Sequence, residues 1–475
     1  MHNRNFFSHF WVKLIGIFLI LLLLSAFIKP KEREISHARF DSAGMGSSIH
    51  LLVGTQGLPG AYQQLEEMNI HWVREEIPWQ EVEQVPGQFQ WNYANGDTIR
   101  DYHFMLDEAE KHDLEVLAVL SGGPVYLPHV YPEQSVDIDL FLEHWKNYVQ
   151  AVVDRFGDQI DYWEISPQAN RPDVWGAAMF PTTPGAVSEP NAFLYSRMLT
   201  TANKIIKKHN KSDTIVLGGL YGSMSNSCLT SPLMFLKEIK INGAWKAFDV
   251  IAIHPYWENN PPEAWIPRGA QVDPETLECA SNNSGGSNLV HELRTIRDFA
   301  QSDGRKPVWV TEIGWHETWL SYSADQHQLA YDQVEANYLT RSIVPLISEK
   351  GIEKIFWFTL YEDPASPGFV LGPNGQQALK NLSRLLGGAR ALGQFQQTSS
   401  YGTAQDLGIY EFRFRKEGRT IIIAWTASGG QSPYLVTFED IPGKRYRAYA
   451  ADALDLSVDT GMELSVNDNK SMTIY

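Results

Sequence analysis

From about Ser47 onward the chain repeats one cycle: a short apolar run, a polar loop, then a stretch whose apolar residues stand three and four apart. Short apolar runs bounded by turn residues read as buried strands, and the three-and-four spacing reads as amphipathic helix, so the repeat predicts βα units feeding a parallel sheet. Eight strands are expected, over residues 49–53, 71–75, 114–120, 160–166, 214–219, 248–253, 307–312 and 354–360. Helical spacing is plain over 99–112, 140–156, 192–209 and 328–350. Eight strands alternating with helices predict an α/β chain folded as a (βα)8 TIM barrel with some long loops. An open doubly wound sheet would call for a glycine-rich phosphate turn after a strand, and none follows any of these. Beyond about Gly393 the period falls to two, as in Ile409-Tyr410-Glu411-Phe412-Arg413-Phe414, with a turn at Glu417-Gly418. That pattern predicts a small C-terminal antiparallel β-domain. The expected division is 1–40, a separate N-terminal segment; 41–392, the barrel; and 393–475, the β-domain.

The N-terminal segment is of a different kind. Arg4 and Lys13 precede an apolar stretch over 14–28, which Phe10, Trp11 and Val12 extend upstream. Its length falls between the ~7 to 15 residues of a signal-peptide core and the ~20 of a spanning helix. Ser25-Ala26-Phe27-Ile28 offers no clear small-x-small cleavage site, so the segment is expected to stay as a membrane anchor with the body outside the cytoplasm. Secretion after cleavage near Ala26 is the alternative.

Charge narrows the ligand. A net charge of -17 without a long Lys/Arg run excludes nucleic acid as the natural partner and fits a neutral or cationic one. Fifteen Trp and twenty Tyr suit sugar rings, although aromatic residues pack cores as readily. Cys228 and Cys279 show no metal-type spacing and can pair in an oxidising compartment. No cofactor or metal is implied, since no spaced His/Asp/Glu cluster occurs.

In a barrel of this kind the chemistry gathers where strands end. Those ends are polar here: Arg74-Glu75-Glu76 on the second strand, Ser166-Pro167-Gln168-Ala169-Asn170 after the fourth, His254-Pro255-Tyr256 after the sixth, Glu312 on the seventh and Trp357 in the eighth. A buried carboxylate without partners costs several kcal/mol, and Arg74 and Tyr256 are the expected partners of Glu312. Trp357, Trp175, Trp257 and Trp265 are candidate sugar platforms.

Over about residues 47 to 390 the chain resembles the family-39-like members of glycoside hydrolase clan A, whose catalytic glutamates end strands four and seven. Val308-Trp309-Val310-Thr311-Glu312-Ile313-Gly314-Trp315 is similar to the clan's nucleophile strand, and Asp249-Val250-Ile251-Ala252-Ile253-His254-Pro255-Tyr256 to the strand beside it. Trp72-Val73-Arg74 and Phe356-Trp357-Phe358 match the usual strand-two Arg and strand-eight Trp. In layout the chain is similar to membrane-attached glycosidases of bacterial exopolysaccharide operons. The resemblance implies a carbohydrate ligand, Glu312 as nucleophile of a retaining hydrolase, and Arg74, Asn170, His254, Tyr256 and Trp357 as substrate contacts, to which Trp175 is added as an aromatic platform.

One departure cuts across that assignment. The clan motif Trp-Glu-Ile-x-Asn-Glu-Pro-Asn reads here Trp163-Glu164-Ile165-Ser166-Pro167-Gln168-Ala169-Asn170, so Gln168 stands at the acid/base position and Pro167 replaces the Asn that holds a sugar 2-hydroxyl. An amide can donate a hydrogen bond to the glycosidic oxygen but transfers no proton, a step worth ~10² to 10⁴-fold. Two functions follow: a hydrolase of extracellular or cell-envelope polysaccharide with reduced turnover, or a non-catalytic glycan-binding component of a polysaccharide assembly or secretion system. Glu164 is expected to be structural, and Asp173, Glu189, Glu317, Glu362 and Asp363 are loop carboxylates on the correct face.

Overall fold

The computed structural model describes residues 45–48, 54–95, 98–124, 126, 138–171, 191–222, 231–267, 271–272, 279–280, 286–327, 329–361, 367–395, 398–399, 402–403, 408–427, 436–438, 440–449, 462–466, 468, 470 and 472–474. The strands are β1 (Met45–Ser48), β2 (Trp72–Pro78), β3 (Glu115–Ser121), β4 (Tyr162–Ile165), β5 (Thr214–Leu217, resumed at Leu220–Tyr221), β6 (Ile251–His254), β7 (Val308–Ile313) and β8 (Ile352–Trp357). Each pairs in parallel with the next, and β8 pairs with β1. A bridge between Val216 and Val250 adds to the β5–β6 contact, so the ring closes into a (βα)8 barrel.

Seven strands fall where the apolar runs predict them, and β1 does not. It runs through Met45-Gly46-Ser47-Ser48, ahead of the expected 49–53, which lie outside the described residues. These small residues carry no strand signal of their own. Pairing makes them a strand: Gly46 lies opposite both Trp72 and Phe356 in the parallel register of its two neighbours.

The outer helices include α1 (Gly54–Glu67), α2 (Tyr102–Lys111), α3 (Ile138–Phe156), α4 (Ala192–His209), α5 (Pro232–Ile241), α6 (Leu289–Ser302), α7 (Tyr331–Ser348) and α8 (Pro373–Leu386). Local chemistry starts several of them. Asp101, Asn191, Ser231 and Asn288 cap α2, α4, α5 and α6 by accepting from backbone N–H groups of the first turn, and Lys207, Lys208 and His209 close α4 where the helix dipole favours positive charge.

Alternation along the strands sorts side chains into two layers. Outward residues such as Val73, Trp163, Ile253, Val308 and Ile355 pack under the helices. Inward residues Trp72, Leu117, Val216, Ala252, Trp309 and Phe356 fill the barrel floor, where Trp72 meets Tyr162 edge-on at 4.6 Å and Lys354 Nζ lies 3.8 Å from its ring centroid. The next inward layer is therefore set two residues further along each strand.

The C-terminal region opens with an antiparallel sheet of β9 (Arg390–Phe395), β10 (Ile409–Lys416) and β11 (Arg419–Thr426). Lys416 faces Arg419 across a two-residue hairpin in which Glu417 and Gly418 both take positive φ, 49° and 78°. Phe412 and Phe414 of β10 join the outer barrel core, and β9 and β10 pack on α7. Among the described residues no helix is long and apolar enough to cross a membrane, and the apolar stretch 14–28 lies outside them.

Candidate active site

Two residues beyond the floor, the inward layer turns polar: Trp72 gives way to Arg74, Tyr162 to Glu164, Ala252 to His254 and Trp309 to Thr311. Arg74 is fully buried and uses its fork on two carboxylates. Its Nε and Nη2 donate to Glu164 at 2.8 and 3.1 Å, and its Nη1 donates to Glu312 Oε1 at 2.8 Å. Burial works against its charge, but Glu164 and Glu312 outweigh that and raise its pKa. Glu164 also accepts from the Gly219 backbone N–H at 2.9 Å, so its oxygens are engaged structurally, as expected.

Glu312 reaches this layer through a β-bulge. On regular alternation it would follow Val308 and Val310 outward. Between Val310, opposite Ile355, and Ile313, opposite Trp357, β7 carries one residue more than β8, and the extra residue turns Thr311 and Glu312 both to the inside. Glu312 Oε2 then accepts from Tyr256 Oη at 2.6 Å and lies 3.2 Å from His254 Nδ1, while Thr311 Oγ1 meets His254 Nε2 at 2.9 Å. Burial raises the Glu312 carboxyl to about 7 against the opposing pull of Arg74 and Tyr256. Burial and the charge of Glu312 push the Tyr256 phenol well above its ordinary value, so it remains a donor.

Gln168 completes the arrangement. After β4 the chain passes through Ser166 and Gln168, both with positive φ (54° and 55°), which is strained for residues bearing a Cβ. Gln168 N–H donates to Gly219 O at 2.8 Å, which anchors the turn. Its Oε1 accepts from Arg171 Nη1 at 3.0 Å, and this orients the amide nitrogen to His254 Nδ1 at 3.2 Å. Gln168 Nε2 and Glu312 Oε2 are each 3.2 Å from that ring nitrogen, so they are at most 3.2 plus 3.2, or 6.4 Å, apart. A single Nδ1 either donates to Glu312 or accepts from Gln168, so the tautomer of His254 couples the two side chains. Gly218 and Gly219 permit the approach: a Cβ on Gly218 would lie 1.9 Å from Ser166 O, and one on Gly219 1.9 Å from His254 Nε2.

Arg74, Gln168, His254, Tyr256 and Glu312 thus converge at one mouth, while Trp357 and Asn170 are held elsewhere. Trp357 faces outward, between Ile355 and the helices, and stacks on Trp315 at 5.9 Å; alternation gives the inside to Phe356 and Phe358, and Phe358 packs edge-on against Tyr256 at 6.4 Å. Asn170 is buried with its amide bonded reciprocally to the Tyr221 backbone, at 2.9 and 2.8 Å, so it fastens the β4 turn to β5. Trp175 lies outside the described residues, as do Asp173, Glu189, Glu362, Asp363 and Cys228. Trp257 is buried in the core, whereas Trp265 is 57% exposed. Sequence reasoning passed over Glu76. It stands two residues beyond Arg74 on the inner face, half-buried, accepts from Ser121 Oγ at 2.8 Å, and its charge is felt by both Arg74 and Glu312.

No family model matches the chain, and the search of curated proteins returned no match. Solved structures do match. A family 39 glycoside hydrolase from the gut symbiont Bacteroides cellulosilyticus WH2 is 18% identical, with a TM-score of 0.58 over 93% of this chain and 80% of that one. A glucosidase from Croceicoccus marinus is 13% identical, with a TM-score of 0.49 over 92% of both chains. At 18% identity the likeness to the first speaks for architecture: the chain has the (βα)8 barrel fold found in a family 39 glycoside hydrolase.

Proposed function

We propose that this protein acts on extracellular or cell-envelope polysaccharide as a retaining glycosidase of low turnover, with Glu312 as the nucleophile. The observation that carries this reading is the separation of at most 6.4 Å between Glu312 Oε2 and the Gln168 amide. Retaining enzymes hold their two carboxyl groups ~5 Å apart and inverting ones ~6.5 to 9.5 Å apart. That bound falls short of the inverting range and supports reading the amide as the counterpart of the second carboxyl in a retaining pair. Arg74 holds one oxygen of Glu312 and Tyr256 the other, which fixes the carboxylate for attack on an anomeric carbon above it. Gln168 can donate to the glycosidic oxygen from its amide.

The reaction divides into two steps of unequal demand. Glycosyl transfer to Glu312 needs an acid only when the leaving group is poor, whereas hydrolysis of the adduct needs a base for water. An activated aryl glycoside of a suitable sugar should release about one equivalent of phenol and stall, with the adduct on Glu312 visible by mass, and azide should release it as a glycosyl azide of retained configuration. Absence of both burst and adduct across a panel of dinitrophenyl glycosides, with glycan binding intact, would establish the second reading, a glycan-binding barrel without turnover, which the amide at 168 favours. In either case we place the body outside the cytoplasm, held by the 10–28 segment; recovery of a soluble form beginning near Phe27 after carbonate extraction would remove the anchor.

A further inference from the structure

A groove of about 870 Å³ runs along β11, away from the barrel mouth, between α7, α8 and the strand Arg445–Ala448. Its volume lies within the ~300 to 1,000 Å³ usual for ligand sites. Five arginines line it, Arg341, Arg415, Arg419, Arg445 and Arg447, with no Asp, Glu or Lys among the lining residues. In a chain of net charge -17 such a concentration of one sign is out of keeping with the rest of the surface.

Glu263 takes the fork of Arg341 at 2.8 and 2.6 Å, and Glu463 stands 3.7 Å from Arg445, beyond hydrogen-bond length, and 3.9 Å from Arg447. Arg415 donates to a neutral acceptor, Gly418 O, at 3.0 Å, and Arg419 has no hydrogen bond or ion pair among the described residues. Aromatic rings line the groove on both faces of β11: Trp425, whose Nε1 donates to Glu263 Oε1, is stacked on Tyr410 at 5.5 Å and Phe412 at 5.4 Å on the barrel face, and Tyr446 lies on the other face.

We propose that this groove is a second binding site, distinct from the barrel mouth, for a carboxylated polysaccharide chain. Guanidinium forks match planar carboxylates bidentately, and flat aromatic faces match sugar rings. The choice of a saccharide rests on the functional reading above; the demand for an anion does not. β11 is also the outer strand of its sheet, so an acidic peptide adding as a further strand is the competing occupant.

The test is calorimetric titration of the full chain, in detergent, with hexagalacturonate, its methyl ester, a heparin-derived hexasaccharide and oligoglutamate. Hexagalacturonate should bind at least about tenfold more tightly than the other three. The double variant Arg419→Ala, Arg445→Ala should weaken it about tenfold or more, since a hydrogen bond to a charged group is worth ~1.5 to 3 kcal/mol. Both arginines are exposed, and an unchanged melting midpoint together with unchanged Glu312 labelling by an activated aryl glycoside shows that the variant is folded. Should the variant be unstable, ligand-induced slowing of backbone hydrogen exchange over β11 in the native protein gives the same answer. No binding by hexagalacturonate, equal binding by its ester, tighter binding by oligoglutamate or by the sulfated sugar, or an unaffected variant each overturns the proposal. The titration does not depend on Glu312 reacting, so failure of the catalytic reading and failure of this one remain separate.

Discussion

Replacing Gln168 by Glu is the sharpest perturbation of the proposed mechanism, because the surroundings are already those of a carboxyl group. Arg171 Nη1, 3.0 Å from the present Oε1, would hold the new carboxylate, and His254 Nδ1 would face its other oxygen. The second oxygen would stand no more than about 6 Å from Glu312, on the same triangle of distances. Two negative charges about 6 Å apart repel by about 3 kcal/mol at an effective dielectric of about 20. That is about two pKa units to be shared within the pair, so the two carboxyls should keep one proton between them towards neutrality, and that proton is the one the leaving group receives. Turnover on unactivated linkages should rise ~10² to 10⁴-fold, an effect confined to poor leaving groups in the first step. The assay is kcat/KM over aryl glycosides graded by leaving-group acidity. The native protein should show a steep dependence and Gln168→Glu a shallow one, and azide should accelerate the native protein far more than the variant. A folded variant with the same slope, the same rates and the same azide response would refute the assignment of position 168.

Other perturbations read other parts of the network. Arg74→Met leaves Glu164 and Glu312 buried without their cation and should cost about 3 to 5 kcal/mol in urea denaturation. Gly219→Ala brings a Cβ to 1.9 Å from His254 and should abolish Glu312 labelling, with lower stability, whereas Gly87→Ala, whose Cβ meets nothing, should cost only the ordinary strain of a positive φ, ~1 to 2 kcal/mol. Glu312 must be ionised to attack, and burial places its carboxyl at about 7, so the rate of adduct formation should rise through pH 6 to 8 with a single limb and no fall from a titrating acid at 168. Because the folded value lies above the unfolded one, Glu312 contributes stability that is full below the unfolded pKa and is lost as pH rises through about 7; Glu335, raised by burial to about 8, acts the same way. Melting midpoints should therefore fall between pH 5 and 8, and less so in Glu312→Gln and Glu335→Gln.

What the chain discloses by itself depends on whether the determining interaction is local. Apolar runs announced β2 to β8, and apolar residues three and four apart announced α4 to the residue. β1 is a strand only because Trp72 and Phe356 flank Gly46, and no window of sequence contains all three. The polar strand ends pointed to Arg74, His254, Tyr256 and Glu312, but facing direction was legible only by counting in twos from a known inward residue. That count would have put Glu76 inside with Arg74 and Trp357 outside. It would also have misplaced Glu312, which faces in through a bulge defined by pairing with β8. Asn170 was expected at the ligand because it ends the strand-four motif of the resemblance; its reciprocal bond to Tyr221 spans 51 residues and is not legible there.

Whether Glu312 is there for structure or for chemistry can be argued from the charges. Arg74 and Glu164 form a complete bidentate pair without it, with Gly219 N–H as a further donor. Glu312 adds a second negative charge to one buried cation, and burial lifts its pKa to about 7 despite Arg74 and Tyr256, so the ionised form is disfavoured by the fold at neutral pH. An apolar residue of similar size at this point would stabilise a barrel whose only task was to stay folded. The neighbouring cost is of the same kind, since Ser166 and Gln168 both hold positive φ to bring one amide over His254. Strain, an excess buried charge and a bulge all meet within a few ångströms of one mouth, and each is explained if a carboxylate must be presented there to a substrate. On the proposed mechanism the amide at 168 bears on the second half of the reaction: the described residues would form the bond to Glu312, and position 168 offers no base to break it.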